Sequence, residues 1–175
     1  KVNNVAQGLK FRIYNNRDIE FLDYRTYIGR NVYCRSLCFL LYKAALDIFT
    51  NCKVVMRRPI SKGFFCSIDK GDGSGLEAED IDLIKKRMSE IVADAMPFHR
   101  HEVPIAEAID VFRQLGHMDK VKLLETCGEV YISYYTLGGT ADYYYDVLVP
   151  DAGYLKVWDL TPYRGGALLR VPDRH

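Results

Sequence analysis

The sequence predicts an α+β fold in which an antiparallel sheet packs with helices. Short alternating segments typical of strands are mixed with segments whose apolar residues recur at helical spacing, without the strand–helix–strand rhythm of a parallel sheet. The 175 residues, of which 49% are hydrophobic and 27% charged, suffice for one substantial domain, or for one domain and part of another. The net charge of +1 provides no overall field to attract nucleic acid or a membrane surface, and no apolar run is long enough to span a bilayer.

The amino-terminal half is predicted to contain strands on both sides of a first helix. Alternation predicts strands at Leu9–Tyr14 and Ile19–Asp23, with turn chemistry at Asn15-Asn16 between them. Apolar residues at helical spacing then predict a helix over Ser36–Phe49, for which Ser36 is a candidate N-cap. An edge strand over Lys53–Arg58, ending at Pro59, and a second strand over Gly63–Ile68 should follow.

The carboxy-terminal half is predicted to begin with a strongly amphipathic helix. Its apolar stripe is formed by Ile81, Ile84, Met88, Ile91 and Val92. Acidic residues in its first turns stabilise the positive end of the helix dipole, and the helix should end by Pro97. The remaining elements should be a strand over Phe98–Val103, a helix from Pro104 to Gly116, a short helix over Asp119–Thr126, and strands over Val130–Thr136, Tyr143–Val149 and Tyr154–Leu160.

The most informative segment is DYYYDVLVPDAG, residues 142–153. An acidic residue opens a predicted strand, and a Val-Pro-Asp turn followed by a small residue and Gly closes it. A hydrolytic or metal site would need Cys or His between these landmarks, but Tyr144 and Leu148 stand there. The segment therefore has the pattern of an active-site strand and loop whose reactive side chains have been replaced.

Alternative chemistries find weaker support in the residues. Cys34 and Cys38 share a helix face, and His99 and His101 share a strand face, so a Cys2His2 metal site can be drawn, but isolated cysteines are more often small buried hydrophobes. The five cysteines, odd in number and dispersed, do not indicate a disulfide framework. The glycines of residues 71–75 lack the Lys of a phosphate-binding loop and predict a plain turn. The clustered tyrosines could stack on bases, although Tyr is also a common strand residue.

Ordered landmarks over residues 31–175 resemble the second additional domain of threonyl-tRNA synthetases, which is also found in alanyl-tRNA synthetases and free-standing editing proteins. The matching pieces are residues 32–41 (VYCRSLCFLL), Gly63-Phe64-Phe65, the helix from Glu79 to Met88, Glu107-Ala108, Leu115-Gly116, Lys120 and residues 142–153. Residues 1–30 resemble the last strands of the small ubiquitin-like TGS domain that precedes this domain in the synthetases. The resemblance implies two domains, 1–30 and 31–175.

The same resemblance implies where the chemistry of the family has been lost. Members that hydrolyse mischarged tRNA use an HxxxH helix and a DxCxGxH-type segment. Position by position, the two helix histidines become Arg35 and Phe39, the Cys becomes Tyr144 and the last His becomes Leu148, while the acidic residue remains as Asp142. We therefore expect no catalytic and no metal-binding residue, and a retained ligand pocket lined by Arg35, Phe39, Asp142, Tyr144 and Leu148.

The combination of a TGS end with a degenerate editing-type domain resembles the amino-terminal half of bacterial uridine (nucleoside) kinases of the Bacteroides type. The segments that carry this resemblance are YNNRDIEF (14–21), RSLCFLLYKA (35–44) and DYYY (142–145). It implies a non-catalytic regulatory or ligand-binding module of a cytoplasmic kinase, with the kinase domain as its partner in the same polypeptide. ATP and Mg²⁺ would then be needed only by the kinase domain. The ligand of the present chain would be a nucleoside, a nucleotide or an amino acid. Neither tRNA nor a membrane is an expected partner.

Two further functions stay open at this point. One is an aminoacyl-tRNA trans-editing hydrolase with a rearranged site built from Cys34, Cys38, His99 and His101. The other is a purely structural or dimerising domain without a ligand.

Overall fold

The computed structural model describes residues 1–60 and 63–173, so Arg174 and His175, the last residues of the predicted second domain, lie outside it. The elements are α1 Tyr27–Ile48, β1 Lys53–Ile60, β2 Gly63–Asp69, α2 Ala78–Ala93, β3 Phe98–Pro104, α3 Ile105–Gln114, α4 Met118–Thr126, β4 Tyr131–Leu137, β5 Thr140–Asp142, β6 Asp159–Tyr163 and β7 Gly166–Arg170. A short 3-10 helix, Ala152–Tyr154, lies between β5 and β6.

The strands form two antiparallel sheets, which confirms the predicted α+β class. The first sheet has four strands in the order β1-β2-β7-β6, and the second has three in the order β3-β4-β5. The hairpin of β6 and β7 completes the first sheet, because β7 lies between β2 and β6. In the β2–β7 pairing, Gly63 lies opposite Arg170 and Cys66 lies opposite Ala167. Strand β1 is an edge strand as predicted, but it continues through Pro59 by way of an irregularity between Met56 and Pro59.

Helix α1 is the central element of the larger core. Leu37, Leu40, Leu41 and Ala44 are fully buried along it, and α2 adds Ile81, Ile84, Met88 and Ile91 from the adjacent helix. A second, smaller core lies between α3, α4 and the β3-β4-β5 sheet, and it contains Ala108, Phe112, Val121, Leu124, Ile132, Tyr134 and Ala141. The segment 142–153 contacts both cores, since Tyr144 and Leu148 pack in the larger one and Tyr143 packs against the smaller one.

Helix α1 begins nine residues before the predicted start. Its N-cap is Thr26, whose hydroxyl oxygen accepts a hydrogen bond from the Gly29 N–H at 3.0 Å. Ser36, the predicted N-cap, is fully buried inside the helix, where its hydroxyl donates to the Val32 carbonyl at 2.7 Å. The prediction was wrong because the first turns of α1 carry polar and aromatic residues instead of a regular apolar stripe.

Three strand predictions were also wrong. Leu9–Tyr14 and Ile19–Asp23 form no strand, because the only strand-type pairing with them in the described chain is an isolated bridge from Val2 to Ile19. Tyr143–Val149 is a loop after β5, and the predicted strand from Tyr154 begins only at Asp159. Strands β5 and β7 were not predicted, whereas β2, α2, β3, α3, α4 and β4 lie close to their predicted positions. In the described ranges, no helix is both long and apolar enough to cross a membrane.

Candidate functional site

Helix α1 places Arg35 and Phe39 one turn apart on the side that faces the 142–153 segment. The Arg35 guanidinium Nη1 donates to Asp146 Oδ2 at 2.8 Å, so this side chain binds the segment itself instead of pointing into an empty pocket. Its Nε is buried and has no hydrogen-bond partner among the described atoms. Phe39 is fully buried.

Tyr144 occupies the space in front of Phe39. The two ring centroids are 5.3 Å apart with an interplanar angle of 35°, and Phe39 also contacts Phe98 at 5.7 Å and Tyr42 at 6.5 Å. Burial, followed by the negative charge of nearby Asp142, raises the pKa of Tyr144 well above its ordinary value. Two of the five predicted pocket residues therefore pack against each other as part of an aromatic cluster.

Asp142, at the end of β5, is paired with a lysine that was not among the predicted site residues. Lys120 of α4 donates to Asp142 Oδ1, and the Tyr143 N–H donates to the same oxygen at 2.8 Å. The Lys120 ammonium also lies 5.4 Å from the Tyr42 ring centroid and 5.7 Å from that of Phe112. The position of Lys120 in the ordered resemblance was the signal that could have identified it.

His117 adjoins this ion pair and was also missed. Its ring contacts those of Tyr42 and Phe112 at centroid distances of 6.4 and 6.1 Å. Burial, and next the positive charge of Lys120, lower the pKa of His117, so the imidazole is neutral near pH 7. Because a lone histidine before a short helix has no distinctive spacing, the sequence held no signal for it.

The loop around Leu148 is held by hydrogen bonds to side chains. The Leu148 N–H donates to the Tyr135 hydroxyl at 3.3 Å, and the Val149 N–H donates to the Ser36 hydroxyl at 2.9 Å. The Asp151 carboxylate accepts the Gly153 N–H at 2.9 Å and so caps the 3-10 helix Ala152–Tyr154. Leu148 is buried and belongs to the larger core, so its side chain fills space there.

A cavity of about 430 Å³ lies beside this loop, displaced from the predicted pocket. Its walls are residues between Lys1 and Tyr24, the start of α1 up to Tyr33, and Val147–Pro150, with Tyr154. Leu148 is part of this wall, whereas Arg35, Phe39, Asp142 and Tyr144 are not. The structure therefore brings the five predicted residues into one neighbourhood, but packing and ion pairs occupy the space between them.

The four residues of the alternative metal site lie in unlike surroundings. Cys34 is buried on α1, while His101 stacks on Tyr134 at 4.8 Å and its Nε2 is 2.9 Å from the Thr136 hydroxyl. Within residues 1–60 and 63–173, no three His, Cys, Asp or Glu side chains form a group that could hold a metal ion. Burial also raises the pKa of the Cys34 and Cys38 thiols, which disfavours the thiolate needed for attack or metal binding.

Comparison with known proteins finds similarity to threonine–tRNA ligases. No protein-family model matches the chain. It is 31% identical over 167 residues to the threonine–tRNA ligase of Methylococcus capsulatus, covering 94% of this chain and 26% of that protein. It is 29% identical over 162 residues to the ligase of Carboxydothermus hydrogenoformans, covering 92% of this chain and 24% of that protein. It is 24% identical over 164 residues to the ligase of Porphyromonas gingivalis, covering 94% of this chain and 25% of that protein.

These matches confirm the synthetase part of the predicted resemblance. The chain is similar to a segment of threonyl-tRNA synthetases and spans about a quarter of the length of the relatives it matches. The TGS assignment of residues 1–30 and the uridine-kinase context stay predictions.

Proposed function

We propose that this chain is a non-catalytic module derived from a tRNA-synthetase editing-type domain, in which the former hydrolytic pocket has become part of the core. The observation that carries the proposal is the contact between Phe39 and Tyr144, whose rings lie 5.3 Å apart where the family resemblance would place a metal ligand and a thiol. Neither a phenyl ring nor a phenol with a raised pKa can bind a metal or activate water near neutral pH.

The other two replaced positions support the same conclusion. Arg35 is neutralised by Asp146, and Leu148 is packed into the core, so neither offers a base to a bound water. Lys120 and Asp142 remain, but they pair with each other beneath the rings of Tyr42 and Phe112. This ion pair holds Lys120 and Asp142 in place, but it supplies no nucleophile to the site.

The proposed role for such a module is regulatory or ligand-binding, within a longer cytoplasmic polypeptide that carries a nucleoside kinase domain. The support is the resemblance of residues 14–21, 35–44 and 142–145 to the amino-terminal half of uridine kinases. On this proposal residues 1–30 are the end of a TGS-like domain, and ATP and Mg²⁺ bind to the kinase domain.

A deacylation assay tests the non-catalytic assignment. Threonine tRNA charged with a wrong amino acid is incubated with this protein, and a domain that keeps both the HxxxH helix and the DxCxGxH segment serves as the active control. We expect hydrolysis by this protein to match the rate without protein, and zinc analysis to find substoichiometric metal. Hydrolysis that the Cys38→Ala variant abolishes would contradict the proposal and favour the trans-editing alternative.

The kinase context has its own test. The full-length polypeptide should contain a GxxxxGK(S/T) motif after residue 175 and should transfer phosphate from ATP to uridine. A full-length polypeptide without this motif would contradict the kinase part of the proposal and leave the non-catalytic assignment in place.

A further inference from the structure

The cavity lined by the amino-terminal segment is separate from the Phe39–Tyr144 cluster, because neither of these residues belongs to its lining. It is formed mainly by apolar and aromatic side chains, among them Phe11, Tyr24, Val32, Tyr33 and Val149. Its volume of about 430 Å³ lies within the range of small-molecule sites. We propose that this cavity binds a small, uncharged molecule that contains a planar ring.

Two tyrosines of the cavity lining are held in place by contacts with the rest of the protein. Tyr24 and Tyr33 form an edge-to-face pair with centroids 5.0 Å apart. The Tyr24 hydroxyl donates to the Pro172 carbonyl at 2.7 Å, and the Tyr33 hydroxyl donates to the Val157 carbonyl at 2.9 Å. Both hydroxyls are thus occupied by the protein itself, so these tyrosines present ring surface and not hydrogen-bonding groups to a ligand.

The amino-terminal segment contributes further apolar residues to the lining, and they remain partly exposed. Leu9, Phe11 and Ile13 keep 67%, 49% and 42% of their surface exposed, and Ile19 keeps 55%. All four line the cavity, so their exposed apolar surface is accessible to a bound molecule. A second cavity, of about 320 Å³, adjoins the other side of residues 7–11 and shares Val147–Pro150 as a wall.

The charges around the cavity argue for a neutral ligand. The Lys1 ammonium is 2.9 Å from the Glu20 carboxylate, and Asp23 binds Arg25. Because the charged side chains of the lining are already paired, a charged ligand would lose hydration without gaining a free side-chain counter-ion. The uncharged amide of Gln7, which lines both cavities, is available to bind one polar substituent of the ligand.

This inference rests on the proposed ligand-binding role and gives that role a location. The test is a fluorescence titration of the whole chain with N-phenyl-1-naphthylamine, a neutral two-ring probe whose emission rises in apolar surroundings. We expect saturable binding of one probe per chain. The sulfonated, anionic analogue 1-anilinonaphthalene-8-sulfonate should bind about tenfold more weakly, because its charge finds no partner.

Cavity-filling variants localise the bound probe. Val32→Trp on helix α1 and Ala6→Trp in the amino-terminal segment should each weaken binding by about tenfold or more, because the indole occupies the cavity. Val5→Trp is the matched control, since Val5 belongs to the same amino-terminal segment, is exposed, and does not line the cavity. Circular dichroism establishes that each variant is folded, and either filling variant alone suffices for the comparison.

Three outcomes would overturn the inference. They are the absence of saturable binding, undiminished binding in the folded filling variants, and tighter binding of the anionic analogue. A dimer in solution that Val32→Trp dissociates would assign the surface to a second copy of the chain and would likewise overturn it. None of these results involves tRNA hydrolysis, so each would leave the non-catalytic assignment standing.

Discussion

The ring of Phe39 on α1 lies 5.3 Å from the ring of Tyr144 in the loop after β5, at an interplanar angle of 35°. This contact joins two segments separated by more than a hundred residues. Phe98 from β3 extends the cluster on the other side of Phe39. The aromatic cluster therefore connects the helix, the loop and the second sheet at the place where the resemblance predicts a retained ligand pocket.

Removal of the Tyr144 ring should destabilise the protein strongly. Tyr144→Ala should lower the free energy of unfolding by about 2 to 4 kcal/mol, because it leaves a void against Phe39. The adjacent Tyr145 is 90% exposed, so Tyr145→Ala should change the same quantity by less than about 0.5 kcal/mol. Urea denaturation of both variants measures the difference, and equal losses would show that Tyr144 is not part of the core.

The sequence indicated which side chains lie near the 142–153 segment, but not how they pack. Asp142, Tyr144 and Leu148 stand at landmark positions, and Arg35 and Phe39 are correctly placed on one face of a helix. What the pattern could not show is that Phe39 and Tyr144 fill the space between them. Pocket volume depends on rotamers and on packing across distant segments, and neither leaves a trace in residue spacing.

The predicted position of an element was correct where one face of the element is buried in a regular pattern. It was wrong where the backbone bonds to side chains instead of to another strand. Helix α2 has a regular apolar stripe, and its predicted location is confirmed. Residues 143–149 alternate like a strand, yet the Leu148 and Val149 N–H groups bind the hydroxyls of Tyr135 and Ser36 instead of a neighbouring strand. Strand propensity is a property of local sequence, while pairing requires a partner at the right distance.

The corrected start of α1 can be tested at its cap. Thr26→Ala should lower the free energy of unfolding by about 1 kcal/mol, because the Gly29 N–H loses its acceptor. Thr50 lies in an exposed turn after the same helix, and Thr50→Ala should have an effect close to zero. Chemical denaturation distinguishes the two, and an unchanged midpoint for Thr26→Ala would speak against this N-cap.

The ion pair between Lys120 and Asp142 should contribute more than an exposed pair. Both side chains are largely shielded from solvent, so Asp142→Asn should cost about 2 to 3 kcal/mol by leaving the Lys120 ammonium unpaired. The exposed pair of Asp110 and Arg113 on α3 is the control, and Asp110→Asn should cost less than about 0.5 kcal/mol.

A double-mutant cycle separates the pair from other effects of the substitution at Asp142. In a Lys120→Met background the additional cost of Asp142→Asn should be smaller, because no ammonium is left unpaired. Additive losses in the two variants would show that Lys120 and Asp142 are not coupled.

Tyr144 should also make stability depend on alkaline pH. Its pKa is raised in the folded protein, chiefly by burial, whereas an unfolded tyrosine ionises near its ordinary value of about 10. Above that pH the unfolded chain releases a proton that the folded chain keeps, so stability falls as the pH rises, by up to about 1.4 kcal/mol per pH unit for this group. Tyr144→Phe should therefore show a shallower decline than the unsubstituted protein between pH 10 and 11 in urea denaturation. Parallel pH profiles would indicate that Tyr144 titrates normally in the folded state.

The five thiols should differ sharply in reactivity. Cys127 is exposed, whereas burial raises the pKa of Cys34, Cys38 and Cys52 and brings that of Cys66 to about 12. Because the thiolate is the reacting species, a disulfide reagent such as 5,5′-dithiobis(2-nitrobenzoic acid) should modify one thiol rapidly in the native protein at pH 8 and all five after denaturation. Cys127→Ser should abolish the rapid phase, while Cys38→Ala should leave it unchanged. A rapid phase that instead disappears with Cys38→Ala would reveal a reactive thiol on α1 and would revive the hydrolase alternative.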